Sequence, residues 1–200
     1  MTRGRGSLLL ALVAGVAMLS ATGIVSASEF RTSDITGQGY GDGMSILVDQ
    51  DGRVRRRDDF KGHVTILLFG FTHCPEFCPT ALSNLSEVLD QLGEDRDRVQ
   101  IAFITVDPGR DTPEVLRDYM SSFGPRFIGL TGESVAIREM AKTFKVFSQK
   151  IPQPSGDYTM DHSAVIYVLD TQARVRLMFT ATRQLEDVAH DILELLHETS

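Results

Sequence analysis

The stretch VTILLFGFTHCPEFCPT, residues 64–80, joins an apolar run to the only two cysteines of this 200-residue chain. The run is continuous and contains β-branched residues, which is typical of a strand that is covered on both faces. The loop that follows such a strand is where open α/β sheets place their functional residues. Cys74 and Cys78 therefore lie where chemistry is expected.

The spacing of the two cysteines leaves four kinds of site open. A redox-active pair would cycle between two thiols and a disulfide, although C-x-x-C redox motifs have two intervening residues and this chain has three. Two thiolates would also suit a soft ion such as copper(I) or zinc. A purely structural disulfide would close a loop too short to remove much unfolded-state entropy. Two inert thiols in the core are the fourth alternative.

Prolines set the expected geometry of the pair, since Pro75 follows Cys74 and Pro79 follows Cys78. A residue before proline avoids the helical region, and proline disrupts a helix interior. The sequence therefore predicts that the helix begins at Pro79, with Cys78 as its N-cap and Cys74 on the preceding loop. The helix N-terminus would stabilise a thiolate, so we expect a lowered pKa for Cys78.

The rest of the chain alternates between predicted strands and helices. A hairpin is expected around Asp51 and Gly52, and Thr112 and Pro113 have the residue types of a helix start. This order predicts an α/β fold, a thioredoxin-like sandwich with a mixed central sheet flanked by helices and an N-terminal β-hairpin. The other predicted strands are residues 63–71, 99–107, 163–170 and 174–180, and the predicted helices are 81–92, 112–123, 133–144 and 183–198.

The N-terminal residues have the composition of an export signal. Arg3 and Arg5 precede an uncharged apolar segment that continues to Ala27, where small residues fit a cleavage site. The segment is also long enough to span a bilayer as an uncleaved anchor. Either form places the remaining chain outside the cytoplasm, where thiols tend to oxidise. We expect a signal peptide or N-terminal membrane anchor over 1–27, a polar linker over 28–43 and a single domain over 44–200.

Charge excludes one class of partner. Without the two arginines of the leader, 18 basic residues face 27 acidic ones, a net charge of −9. A nucleic-acid-binding protein needs basic surface to contact phosphates. We therefore expect no nucleic-acid partner.

The five histidines differ in their suitability as a third metal ligand. His190 and His197 fall in the last predicted helix, and His63 follows a charged stretch. His73 is adjacent to the first cysteine, but neighbours along an extended chain point to opposite sides. His162 lies at the turn into a buried strand. Although a histidine there is more often structural, the isolated thiol pair makes His162 the best candidate.

Three motifs carry a resemblance to a known family. FTHCPEFCPT (71–80), ITVDPGRDTPEVLRDY (104–119) and YTMDHSAVIYVLD (158–170) occur in this order. Together they resemble the Sco/SenC family of copper-handling thioredoxin-fold proteins, over about residues 44–198. Two departures are mild: Glu76 stands where aspartate is common, and Met160 stands where valine is common and is expected to pack in the core.

The resemblance implies a ligand set and the residues around it. It assigns copper binding to Cys74, Cys78 and His162, and it makes 44–200 a thioredoxin-like copper-binding domain. Copper(I) suits two thiolates and an imidazole, and copper(II) is also compatible with the imidazole. The resemblance gives Asp107 a site-shaping role, and Asp161, beside the histidine, is assigned the same role.

The resemblance also implies a cellular role in the assembly of cytochrome c oxidase. One hypothesis is a metallochaperone without turnover that delivers copper to the dinuclear copper centre of the oxidase. The other is a thiol–disulfide oxidoreductase, with Cys74 and Cys78 as the catalytic pair, that reduces the cysteines of that centre. Only the first hypothesis needs His162. A thiol peroxidase is a weaker third.

The partners expected from the resemblance are all outside the cytoplasm. They are the copper-bearing subunit of the oxidase, another periplasmic copper chaperone or a thiol reductant, and the membrane if the N-terminal segment stays uncleaved. The expected location is the periplasm or the outer face of the cytoplasmic membrane.

Overall fold

The computed structural model describes residues 30–198, which form ten strands and four helices. The strands are β1 (Ser33–Asp34), β2 (Leu47–Asp49), β3 (Val54–Arg55), β4 (Val64–Gly70), β5 (Val99–Thr105), β6 (Phe127–Thr131), β7 (Ser148–Pro152), β8 (Tyr158–His162), β9 (Val165–Leu169) and β10 (Val175–Thr180). The helices are α1 (Phe77–Gln91), α2 (Pro113–Ser121), α3 (Ser134–Thr143) and α4 (Leu185–His197).

Eight of these strands form one mixed sheet in the order β1-β10-β9-β4-β5-β6-β2-β3. β4, β5 and β6 run parallel, whereas β9 pairs antiparallel with β4, and β10 pairs antiparallel with β9. The sheet, with helices packed against it, confirms the predicted thioredoxin-like α/β sandwich. β7 and β8 pair with each other in a separate antiparallel sheet.

The central strand β4 is buried along its whole length, as its apolar sequence predicts. One face of the sheet is covered by α1, α2 and α4, where Leu82, Leu116 and Ile192 are fully buried. The other face is covered mainly by α3 and the aromatic ring of Phe144. Apolar burial on both faces holds the carboxyl end of β4, and hence the cysteine loop, in a fixed place.

Local sequence patterns predict several of the strands and helices correctly. The predicted N-terminal hairpin is β2–β3, in which Leu47 opposes Arg55. Pro113 is the first residue of α2, and the Thr112 hydroxyl accepts a hydrogen bond from the Val115 N–H at 3.4 Å. The antiparallel pair predicted near the C-terminus is β9–β10.

The predicted start of α1 was wrong by two residues. The helix begins at Phe77 with Glu76 as N-cap, so Cys78 and Pro79 are its second and third residues. Proline is tolerated there, because the first N–H groups of a helix have no intrahelical partner to lose. Cys78 therefore lies inside the first turn rather than at the cap.

The segment predicted as a polar linker is packed against the domain over its described part. β1 pairs with β10 and forms one edge of the main sheet, and Ile35 is buried. The buried carboxylate of Asp191 in α4 accepts hydrogen bonds from the N–H groups of Arg31 and Thr32 at 2.7–3.0 Å. These contacts attach the described part of the segment to the domain, although its composition is mostly polar.

The expected leader, residues 1–27, lies outside the described residues. Within residues 30–198, no helix has both the length and the apolar content needed to cross a membrane.

Candidate metal centre

The two thiols are held at the carboxyl end of β4. Cys78 is fully buried, whereas Cys74 on the preceding loop is partly exposed. Gly70 ends β4, and a Cβ there would lie 2.6 Å from Cys78 Sγ and 2.7 Å from the Phe103 ring. Only glycine leaves room for this sulfur against the strand, so the backbone of β4 fixes the position of the buried thiol.

The two thiols have opposite acid–base character. Cys74 Sγ accepts a hydrogen bond from the Cys78 N–H at 3.4 Å. The hydrogen bond from the Cys78 thiol, with backbone N–H groups of Cys78 and Glu76, lowers the pKa of Cys74 to about 5. The same thiol–thiolate hydrogen bond and burial raise the pKa of Cys78. The lowered pKa that we expected for Cys78 was therefore wrong, and the thiolate at neutral pH is Cys74.

His162 reaches the thiols from a different part of the fold. It is the last residue of β8, and its Nε2 lies 3.9 Å from Cys78 Sγ. Its Nδ1 donates to the Ser163 carbonyl at 3.0 Å, so Nε2, which faces Cys78 Sγ, is the acceptor nitrogen of the ring. The rings of Phe71 and Phe77 contact the imidazole edge-to-face, each at a centroid distance of 5.9 Å. The imidazole is thus oriented by one hydrogen bond and two aromatic contacts.

The three donor atoms converge on one point. Cys74 Sγ, Cys78 Sγ and His162 Nε2 all lie within 4.8 Å of one another. Metal–sulfur bonds of ~2.3 Å and metal–nitrogen bonds of ~2.0 Å place two ligands of one ion about 3.5–4 Å apart. Small movements would bring all three donors to an ion, and two sulfurs with one imidazole are a soft set.

Three other histidines of the described chain have different partners. His73 Nδ1 lies 3.0 Å from the Thr72 hydroxyl, with its side chain exposed. His190 contacts Asp191 in α4, and His197 contacts Asp95. None of these belongs to the cluster of donors.

The two aspartates predicted to shape the site occupy different environments. Asp107 is buried and accepts hydrogen bonds from Tyr158 Oη, at 2.9 and 3.1 Å, and from Arg110 Nε. It therefore contacts the strand that carries His162. Asp161 is exposed, and the alternation of β8 places it on the opposite face from His162. Its predicted role at the site stays a prediction.

A third aspartate, Asp111, was not among the residues predicted to shape the site. It is fully buried and accepts hydrogen bonds from the Thr72 N–H at 3.1 Å and from the Thr72 and Thr105 hydroxyls at 2.6 Å each. These bonds join the end of β5 to the loop just before Cys74. The signal was present in the sequence as a charged residue beside a helix cap, which also fits a simple surface position.

Comparisons with known proteins agree with this geometry. The family model SCO1/SenC matches residues 40–197. An SCO2-like protein of Rickettsia prowazekii is 38% identical over 151 residues, covering 74% of this chain and 72% of that protein. A mitochondrial SCO2 homologue of Bos taurus is 36% identical over 165 residues, covering 81% of this chain but only 62% of that protein. The chain thus spans less than two thirds of the bovine protein's length.

Among solved structures, the chain is similar to Bradyrhizobium japonicum ScoI with copper bound. The two are 42% identical in sequence with a TM-score of 0.70, and the alignment covers 76% of this chain and 96% of that one. This relative is therefore similar to the chain both in fold and in overall sequence.

Proposed function

The chain belongs to the SCO1/SenC family, and from this premise we propose that it is a copper metallochaperone. In this proposal Cys74, Cys78 and His162 bind copper(I), with copper(II) as a second state. The chain delivers the ion to the dinuclear copper centre of cytochrome c oxidase. The observation that carries the proposal is the convergence of two sulfurs and one imidazole nitrogen within 4.8 Å.

Each of the three residues contributes differently to binding the cargo. Cys74 is already a thiolate at neutral pH, because its pKa is lowered to about 5. Cys78 must release a proton when the ion binds, so loading is coupled to proton release. His162 offers Nε2 to the ion, since its Nδ1 faces the Ser163 carbonyl. Cys74 is partly exposed, which gives an acceptor's thiolate a route to the ion.

A second candidate function is reduction of a disulfide in the acceptor. The acid–base asymmetry of the thiols favours it, because a thiolate attacks and a neighbouring thiol then resolves the mixed disulfide. Cys74 would attack one acceptor sulfur and displace the other as a thiolate. Cys78 would lose its proton, attack Cys74 Sγ and release the acceptor as a dithiol. The resulting Cys74–Cys78 disulfide would need a thiol reductant to reset it.

The proposed surroundings of the protein follow from the same premise. The acceptor is the copper-bearing subunit of the oxidase, and a periplasmic copper chaperone is a candidate donor. The location is the periplasm or the outer face of the cytoplasmic membrane. Residues 1–27 supply the membrane attachment if they remain uncleaved.

Replacement of His162 by Ala separates the two candidate functions. Loss of one ligand of three should weaken copper(I) binding by orders of magnitude, because a two-thiolate site is open to competing ligands. Purified full-length protein, reduced and titrated against a chromophoric copper(I) chelator, gives the affinity. Cells that carry only this variant should lack the copper centre of the oxidase, whereas Cys74→Ser should block assembly under either function.

The matched control is His73→Ala, which removes an exposed imidazole next to Cys74 and should leave copper binding unchanged. Normal oxidase assembly with His162→Ala, together with failure of Cys74→Ser, would reject the chaperone proposal in favour of the reductase. Full copper(I) binding by the oxidised disulfide form would place the ligands elsewhere.

A further inference from the structure

The small sheet that carries His162 is attached to the domain by few interactions. β7 and β8 pair with each other and not with the main sheet. Alternation along β8 places Tyr158, Met160 and His162 on one face, and Met160 is buried in the core as expected. The side chains of this face must therefore fix where the imidazole lies.

Arg110 makes the densest set of contacts to this face. Its Nη1 donates to the Tyr158 carbonyl at 2.9 Å, and its Cζ lies 3.8 Å from the centroid of the Tyr158 ring. Its Nε donates to Asp107, which in turn accepts from the Tyr158 hydroxyl. Arg110 and Asp107 thus hold the backbone, the ring and the hydroxyl of one residue of β8.

The same guanidinium also lies near Phe71, whose ring contacts His162. Arg110 Cζ is 5.9 Å from the centroid of the Phe71 ring, and Phe71 contacts the imidazole edge-to-face. Phe71 is buried and belongs to the loop that leads to Cys74. Arg110 therefore contacts both the strand that carries the histidine and the loop that carries the thiols.

The guanidinium has one unfavourable feature and one clear electrostatic role. Its Nη2 is buried and has no hydrogen-bond partner within residues 30–198, which is unfavourable for a donor. Its Nε pairs with the buried carboxylate of Asp107, which an apolar side chain at position 110 would leave without a cationic partner. Position 110 therefore suits a side chain that reaches both Asp107 and Tyr158.

We propose that Arg110 is a positioning residue for His162, which clamps the β7–β8 hairpin so that the imidazole stays at the two thiols. This inference rests on the proposed function, because it assumes that His162 is a copper ligand. Arg110 itself does not touch the ion. Partners that orient metal ligands typically change affinity by roughly 10–100-fold when removed.

Arg110→Lys is the direct test, because lysine keeps the charge beside Asp107 but loses the planar fork that reaches the Tyr158 carbonyl. We expect copper(I) affinity of the full-length reduced protein to fall roughly tenfold, at the lower end of that range. The control is Arg117→Lys, since Arg117 donates to the Gln50 carbonyl beside the other hairpin. The control should leave copper affinity unchanged. Tyr158→Phe removes only the hydroxyl bond to Asp107 and provides a milder second variant.

A double-mutant cycle shows whether Arg110 acts through His162. In a His162→Ala background, Arg110→Lys should weaken copper binding no further. In the metal-free protein, the imidazole nitrogen NMR signals of His162 should broaden or shift in Arg110→Lys and stay unchanged in Arg117→Lys. This second measurement does not depend on copper.

Three outcomes would overturn the inference, and they are distinguishable. If His162→Ala weakens binding but Arg110→Lys and Tyr158→Phe do not, the proposed function stands and the positioning role fails. If Arg110→Lys weakens binding equally in both backgrounds, Arg110 acts on the thiols or on the whole fold. If His162→Ala has no effect, the proposed ligand set and the positioning role both fail.

Discussion

The loop that carries Cys74 and Cys78 and the hairpin that carries His162 are held by the fold in different ways. The loop follows β4, the fully buried central strand, and continues into α1. Four of the five residues of β7 are exposed, and the hairpin pairs only within itself in the described structure. Two donors therefore sit on the best-packed part of the molecule and the third on a lightly attached part.

This difference separates the two parts of the proposed metal site: the thiols are held firmly, and the imidazole is held by fewer contacts. The buried strand fixes the thiols at the cost of tolerance to substitution. The hairpin adds the imidazole through a few polar contacts, so small changes there affect binding more than folding. We expect core substitutions to change stability, thiol-loop substitutions to change both, and hairpin substitutions to change mainly affinity.

The largest expected effect is on the reactivity of Cys74, which the thiol loop sets with little contribution from the hairpin. Cys74 has a pKa of about 5 instead of 9.0, and His162 is the weakest of the causes. Thiolate is present above that pKa, so alkylation of Cys74 should persist to about pH 5 and be lost below it. At pH 6 the thiolate fraction is about 300-fold above that of an ordinary cysteine, whose pKa is about 8.5. Mass spectrometry of iodoacetamide-treated protein measures the profile.

The same profile should appear in His162→Ala, because the thiol loop sets it. Cys78→Ala removes the largest cause of the shift and should move the midpoint up, whereas Cys78→Ser retains a hydroxyl donor and should move it less. A midpoint near pH 9 in the unaltered protein would show that the loop does not activate Cys74.

A substitution in the central strand should have the next largest effect. Phe69 in β4 is fully buried, and its ring lies 5.4 Å from that of Phe144. Phe69→Ala should lower the free energy of unfolding by about 3–5 kcal/mol, measured by urea denaturation. Ile151→Ala is the hairpin control, since Ile151 in β7 is exposed, and it should change stability by less than about 0.5 kcal/mol. Equal losses of unfolding free energy in the two variants would show that the two regions do not differ in packing.

Substitution of Gly70 should change stability less than Phe69→Ala does, and it is the most selective for the site. A Cβ at Gly70 would crowd Cys78 Sγ at 2.6 Å, and one at Gly129 in β6 would crowd Leu116 Cβ at 2.9 Å. Gly70→Ala and Gly129→Ala should each cost about 1–3 kcal/mol through overpacking. Only Gly70→Ala should weaken copper binding, because only it displaces a donor. A similar loss of affinity in both variants would mean that crowding acts through the fold as a whole.

Much of the fold was predictable because local signals and tertiary packing agree. β4 is a continuous apolar run, and Thr112 with Pro113 begins α2 as expected. The start of α1 was missed because a proline pattern does not distinguish the cap from the first turn. β1 has only two residues and no apolar alternation, so its own sequence does not predict its pairing with β10.

The candidate site was predictable in its donors but not in its support. Cys74, Cys78 and His162 were predicted by residue type and motif, and the structure brings them together. The hairpin itself was not predicted, because residues 148–162 are polar and interrupted by prolines. Arg110 was not singled out, because the local sequence does not distinguish an exposed arginine in a turn from a partly buried one that contacts a neighbouring strand. The pKa order of the thiols also depends on a hydrogen bond that no local pattern reveals.

Because His162 is part of the chain, it also affects which competing ligands can remove copper from the proposed site. A tethered ligand acts at an effective concentration that is about millimolar even for a short flexible connection. A free imidazole must reach a comparable concentration before it replaces His162, so dilute small molecules compete poorly for the ion. Under the proposed function, a docked acceptor is itself a tether and presents its own donor at a concentration of the same order. The proposed transfer is then a competition between two tethered ligands, from which the surrounding solution is largely excluded.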